Sequence, residues 1–217
     1  MKNILLAKYI NEFKHALVVN PQYEEMTQQK NKKINNTTCI IVWYHPVEEK
    51  FYYLIQKRGL KMGSGAGLLA VGGGMLEDRD KNLQIGAVRE IMEESQVLFK
   101  GNLINTMTKK TMEQISKYLF YLSEDSCNVT YYLILVSKKM PKWSGPILKD
   151  KYPFKDSKHE IDMIDDNWGW KKLKDRIYKG HCFMTSEEIK QIMKIEKSPK
   201  MWKYSKSSLF KLFKLLE

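Results

Sequence analysis

The sequence predicts an α/β protein in which a mixed sheet carries helices on its faces. Three observations predict it. Short β-branched and aromatic runs alternate along the chain with stretches of helical periodicity. Seven of the twelve glycines fall within residues 59–74, between one such strand and one such helix. At 217 residues the chain is long enough to bury roughly 70% of its unfolded surface without a metal or disulfide staple.

The elements follow in order. Apolar Leu5, Leu6, Tyr9, Ile10, Phe13, Ala16 and Leu17 have helical spacing, which predicts an N-terminal helix over 3–18. Residues 20–38 are polar, hold Pro21 and a Gln/Lys/Asn run, and read as a loop or connector. Cys39–Tyr44 and Phe51–Lys57 read as strands joined by a hairpin loop, and the glycine-rich stretch follows as a loop. Residues 82–95 form a helix with Ile85, Ala87, Val88, Ile91 and Met92 on one side. Thr111-Met-Glu-Gln114 resembles a capping box and predicts a helix over 112–123, with a hairpin strand as the rival reading. Asn128–Val136 is a strand, 137–160 a proline-containing loop, and 167–171 a further strand. Helices close the chain at Thr185–Glu196 and Ser207–Leu216. This divides the chain into 1–38 (N-terminal helix and connector), 39–180 (core) and 181–217 (a basic helical extension packed on the core).

Hydrophobic residues make up 43% and charged residues 29%, an ordinary globular balance that excludes a disordered chain, a collagen or a small disulfide scaffold. Cys39, Cys127 and Cys182 form no Cys-x-x-Cys pair, so neither a zinc site nor a disulfide partner is indicated. Reduced thiols suit a cytoplasmic protein. The apolar stretch near Met1 is too short for a secretory signal, and no uncharged run approaches the ~20 residues of a membrane span. The net charge of +12 favours phosphate-rich partners, although a lysine-rich coding bias produces the same balance.

The chemistry-bearing segment runs from Gly72 to Glu94. Glu90, Glu93 and Glu94 are spaced i, i+3, i+4 and share one helix face. Three like charges there repel. A hard divalent cation, which prefers carboxylate oxygens, is the natural offset, and a solvated helix face is the plain alternative. The glycines ahead of the helix let a backbone carbonyl face the same ion.

This segment resembles the Nudix box, Gly-x5-Glu-x7-Arg-Glu-U-x-Glu-Glu-x-Gly-U, with U a bulky aliphatic residue. The chain reads Gly74-x5-Asp80-x8-Arg89-Glu90-Ile91-x-Glu93-Glu94-x-Gln96-Val97. It departs at Asp80, at Gln96 and in a spacing one residue longer. That spacing resembles the coenzyme A pyrophosphatase branch, whose Arg, later Gly and paired glycines match Arg58, Gly67 and Gly73-Gly74; Gly72 and Gly59 replace that branch's Pro and Ser. It is also similar to the branch that removes caps from small nucleolar RNA, and the Glu-Glu-Ser95 ending is similar to some poxvirus decapping enzymes. The resemblance covers residues 54–97, about a fifth of the chain.

The resemblance implies a Nudix fold: an α/β/α sandwich around a mixed sheet, here with extra N- and C-terminal helices. It implies hydrolysis of a nucleoside diphosphate linked to another moiety with Mg²⁺ or Mn²⁺. Glu93, Glu94 and the Gly74 carbonyl would be ligands. Glu90 would be a ligand or would help take the proton from the attacking water. Arg89 would orient a carboxylate rather than touch substrate. Arg58 and Gly73 would face substrate, and Glu160 is the candidate distal carboxylate.

Trp168 and Trp170 are i, i+2 on an expected strand and share a side, which suits either a stacked base or ordinary packing. Residues 168–217 hold thirteen Lys/Arg against five Asp/Glu, with Lys190, Lys194, Lys197, Lys200, Lys203 and Lys206 around Trp202 and Tyr204. That pattern suits an RNA backbone or a solvated helix exterior. Three readings stand: a hydrolase of capped RNA, a hydrolase of a small nucleotide such as coenzyme A, ADP-ribose or a non-standard nucleoside diphosphate, and an inactive Nudix protein that binds RNA.

Overall fold

The computed structural model describes residues 15–18, 20–22, 34–58, 67–94, 97–98, 109–143, 177–178, 181–194 and 200–217. In chain order these form β1 (His15–Leu17), β2 (Asn36–His45), β3 (Lys50–Lys57), β4 (Leu69–Ala70), β5 (Gly72–Met75), α1 (Leu83–Glu94), β6 (Val97–Leu98), α2 (Lys109–Ser116), β7 (Phe120–Glu124), β8 (Asn128–Ser137), β9 (Lys142–Trp143), β10 (Ile177–Tyr178), β11 (His181–Met184), α3 (Ser186–Lys194) and α4 (Lys203–Leu216).

The main sheet is mixed and has the order β1-β8-β2-β3-β11-β10, with β4 on β3, β5 on β2 and β7 on β8. Its spine is the parallel pair β2–β8, in register from Asn36↔Asn128 to Tyr44↔Val136. The other pairings in this sheet are antiparallel, and β6–β9 form a separate two-stranded piece. Strand alternation decides the layers. Ile40, Val42, Tyr53, Ile55, Ile134 and Val136 point to one side and meet Ile189, Ile192, Leu209, Leu212 and Phe213 of α3 and α4. Cys39, Ile41, Trp43, Leu54, Leu133 and Leu135 point to the other and meet Leu83, Ala87, Val88 and Ile91 of α1. Each large side chain so buried contributes about 1.5–3 kcal/mol. The result is an α/β/α sandwich around a mixed sheet. Among the described residues no helix is long and apolar enough to cross a membrane.

Several elements differ from the sequence reading. His15–Leu17, expected as the end of a helix, form a strand on the outer edge of β8, because that edge offers unpaired backbone beyond β7; residues 3–14 lie outside the described residues. Asn36–Thr38, expected in the connector, begin β2, since their backbone pairs with β8 on one side and β5 on the other. The rival hairpin reading holds for Phe120–Glu124. Phe120 stacks on Tyr132, and Asp125 closes the turn by accepting from the Cys127 and Asn128 amides. The helix before it starts two residues ahead of Thr111, so the capping-box reading fails. Gly72–Met75 form a strand rather than a loop. Helix α4 starts a turn earlier than Ser207. The strand expected at 167–171 lies outside the described residues. Cys39 and Cys182 are buried, and Cys127 is half-buried.

Strands from all three sequence spans enter one sheet: β1 precedes residue 39, and β11 follows residue 180 and lies between β3 and β10.

Candidate active site

The site forms where β5 passes between β2 and α1. Three glycines make that passage possible. A Cβ on Gly73 would sit 2.5 Å from the Thr37 carbonyl oxygen, and its φ of +152° is one that L side chains rarely adopt. A Cβ on Gly74 would collide with Oε2 of Glu90, and one on Gly72 would meet Oε2 of Glu94 at 2.9 Å. The bare strand therefore lets two glutamates of α1 lie directly on its backbone. Helix α1 is fixed at its start by Asn82, whose side-chain oxygen accepts from the Ile85 amide at 2.8 Å.

Arg89 is the hub. Its side chain is 2% exposed, as is that of Asp80. Nε donates to Oδ1 of Asp80 at 3.0 Å and Nη2 to Oδ2 at 3.0 Å, a two-pronged pairing. Nη1 donates to Glu90 at 2.8 Å and to Glu93 at 2.9 Å, and Nη2 also reaches the Met75 carbonyl at 2.7 Å. Burial works against the guanidinium charge, but the Asp80 hydrogen bond and the fields of Glu90, Asp80 and Glu93 outweigh it and hold Arg89 above its ordinary value. Arg79 adds a second cation, at 3.0 Å from Glu93 and also paired with Glu77.

Glu94 stands apart from Arg89. Its Oε2 accepts from the Gly73 amide at 2.9 Å and from Nε2 of Gln56 at 3.1 Å. Gln56 is in turn held by His181, whose Nε2 lies 3.0 Å from the Gln56 side-chain oxygen. The two residues are registered partners on β3 and β11. Burial, then the field of Glu90, pushes Glu94 up to about 8, against the Gly73 and Gln56 hydrogen bonds and the charge of Arg58. Burial likewise pushes Glu90 up to about 7, with Arg89 opposing and Glu93 and Asp80 adding to the rise. A small cavity lined by Cys39, Ile41, Leu54, Gln56, Gly72, Ile91 and His181 opens beside Gly72.

Among the described residues, no carboxylate, thiol or imidazole side chains already converge in threes as a formed metal cage. The donor set nevertheless fits a hard divalent cation. Four carboxylates, those of Glu77, Asp80, Glu90 and Glu93, cluster against the guanidiniums of Arg79 and Arg89, and the Glu94 carboxyl lies within the field of Glu90. The cluster is short of positive charge, and oxygen ligands are what such cations take.

Of the residues singled out from sequence, Gly73, Gly74, Arg89, Glu90, Glu93 and Glu94 come together here. Arg58 lies at the end of β3, its backbone paired with Gly67 and Leu68, and its guanidinium stacks over the Trp202 ring at 4.3 Å. Glu160, Trp168 and Trp170 lie outside the described residues. Gln56 and His181 were not anticipated. The available signal was a lone amide directly after the apolar run Phe51–Ile55 and a histidine opening another, which acquire meaning only once the strands are in register.

No protein-family model and no curated protein matches the chain. Several solved structures resemble it. One is a bifunctional NMN adenylyltransferase/ADP-ribose pyrophosphatase from Francisella tularensis, complexed with AMP and a manganese ion. It is 15% identical with a TM-score of 0.45, over 87% of this chain and 44% of that one. A Nudix hydrolase from M. smegmatis, RenU, is 9% identical with a TM-score of 0.44, over 89% and 94%. The MERS1 protein of T. brucei in its apo form is 15% identical with a TM-score of 0.46, over 74% and 60%. The chain spans less than half the length of the Francisella protein.

Proposed function

We propose that this chain is a Nudix-type pyrophosphohydrolase that uses a divalent cation to hydrolyse a nucleoside diphosphate linked to another moiety. One observation carries the reading. An acidic helix edge lies on a bare glycine strand, with Glu90 and Glu94 against the backbone of Gly74 and Gly72. The sequence pattern from Gly74 to Val97 supports it independently.

In this reading Glu90, Glu93, Glu94 and the Gly74 carbonyl would hold Mg²⁺ or Mn²⁺. Such an ion neutralises phosphate charge and lowers the pKa of a bound water. The chain's own residues do the rest. Arg89 keeps the carboxylates oriented and does not reach substrate, since its five N–H groups are spent on Asp80, Glu90, Glu93 and the Met75 carbonyl. Glu90 serves as ligand or takes the proton of the attacking water. Glu94 is held on Gly73 and Gln56 through Oε2, which accepts both hydrogen bonds. Arg58 offers a cation to substrate phosphates. The reaction adds water to one phosphorus, breaks the bridging P–O bond and releases two phosphate-ended products.

A Mn²⁺- and Mg²⁺-dependent screen across cap-labelled RNA, coenzyme A, ADP-ribose and nucleoside diphosphates tests the reading. Turnover of at least one substrate, lost in Glu93→Gln with the fold intact, is expected. No turnover of any substrate, or near-normal activity in that variant, overturns it.

A further inference from the structure

We propose that Arg58, Trp202, Tyr204 and the lysine stripe of α4 form a track for single-stranded RNA leading away from the acidic helix edge. The proposal deepens the hydrolase reading and rests on it. It assigns the substrate class: an RNA whose 5′ end carries the phosphoanhydride.

Adjacency comes first. The start of α4 is stitched to the strand that feeds the glycine edge. The Leu69 amide donates to the Lys200 carbonyl at 3.0 Å, the Trp202 amide to the Leu69 carbonyl at 2.8 Å, and the Val71 amide to Oγ of Ser205 at 3.2 Å. The next residue after Val71 is Gly72, which lies against Glu94. Arg58 bridges the two regions. Its guanidinium carbon lies over the Trp202 ring at 4.3 Å from the centroid, and its backbone pairs with Gly67 and Leu68 just ahead of β4.

The chemistry of the surface comes second. Trp202 meets Tyr204 edge to face at 5.5 Å. Tyr204 is 50% exposed, and the Lys203 ammonium lies over its ring at 4.9 Å. A half-exposed ring beside cations offers a base a face to stack on and its phosphates a countercharge. Beyond it, Lys203, Lys206, Lys211 and Lys214 are all exposed and fall within one half of the α4 circumference, away from buried Leu209 and Leu212. At 1.5 Å per residue the stripe runs about 16 Å, with no acidic residue in the first turn. A small nucleotide has no use for a row that long. An acidic peptide would use the lysines but not the ring. A chain begun from a nucleoside triphosphate keeps its phosphoanhydride at the 5′ end, which is where the acidic edge would receive it.

The test is fluorescence anisotropy on the full chain in EDTA, with a 3′-labelled single-stranded RNA bearing a 5′-triphosphate, over a range of salt. Binding should fall with salt on a log–log slope of about −2 or steeper. Tyr204→Ala should weaken binding about tenfold, and Tyr204→Phe should not. The triple variant Lys206→Gln/Lys211→Gln/Lys214→Gln should flatten the slope by about 2, at roughly 0.7 per phosphate contact. These positions are exposed, and unchanged thermal melts verify the fold. A salt-independent wild type, or wild-type binding by both Tyr204→Ala and the triple variant, overturns the proposal. So does displacement of the RNA by an equal concentration of free nucleoside diphosphate or of an oligoglutamate peptide. Binding is read without metal or turnover, so the two readings fail separately. Salt-dependent RNA binding without hydrolysis of any substrate counts against the hydrolase alone. Hydrolysis of a small dinucleotide without RNA binding counts against the track alone.

Discussion

Replacing Glu94 with glutamine separates the cost of a crowded carboxylate from the value of its contacts. Glutamine keeps an oxygen to accept from the Gly73 amide, so the anchoring on β5 survives. The charge does not. Burial and the field of Glu90 push Glu94 from 4.5 up to about 8, so the folded protein holds a proton that the unfolded chain gives up near 4.5. Below about pH 4.5 both states are protonated and Glu94 contributes no difference. Between there and about pH 8 the folded state binds more protons, so stability falls as pH rises; above that it is level. At 1.36 kcal/mol per pH unit the interval amounts to about 5 kcal/mol at most, and solvent screening at a half-buried group reduces this to about 2–4 kcal/mol. For a chain of this size that is roughly 5–15 °C in melting temperature. Melts in EDTA at pH 5 and pH 8.5 measure it: wild type and Glu94→Gln should nearly coincide at pH 5, and the variant should be the more stable at pH 8.5. Mn²⁺ should then raise the wild-type melt at pH 8.5 more than the variant's, since a cation binds the ionised form. A variant less stable than wild type at pH 8.5 in EDTA would refute the reasoning.

Three further outcomes follow from the same geometry. Arg89→Met leaves the Asp80 carboxylate buried without its two-pronged partner and should cost about 3–5 kcal/mol in urea denaturation; a loss under 1 kcal/mol contradicts the hub assignment. Gly73→Ala places a methyl 2.5 Å from the Thr37 oxygen at a φ of +152° and should destabilise by about 2–4 kcal/mol, measured the same way. Gln56→Ala removes a donor from Oε2 of Glu94 and the link to His181, and should weaken Mn²⁺ binding about tenfold by calorimetric titration with little change in melting temperature.

The sandwich was legible wherever local pattern and tertiary role coincide. β2, β3 and β8 alternate apolar side chains between two cores, and α1 repeats them at helical spacing, so their periods reveal them. β1 was not legible. Three residues pair with a strand more than a hundred positions away, and their apolar spacing fits a helix equally well. β5 was missed for a related reason. Glycines signal a turn locally, and only the closeness of Thr37 on one side and Glu90 on the other explains why a strand there has no side chains. The acidic half of the candidate site was readable because its spacing lies within one helix. Gln56 and His181 are 125 positions apart, and the register of β3 with β11 alone joins them.

The bond from the Gly73 amide to the Glu94 carboxylate has a practical consequence. A peptide proton that points at an ionisable oxygen shifts in resonance as that oxygen gains or loses charge. Gly73 is thus a built-in spectroscopic probe: one glycine crosspeak in a nitrogen–proton NMR spectrum reports the state of this single acid. It does so in the unmodified polypeptide, without dye, substrate or turnover.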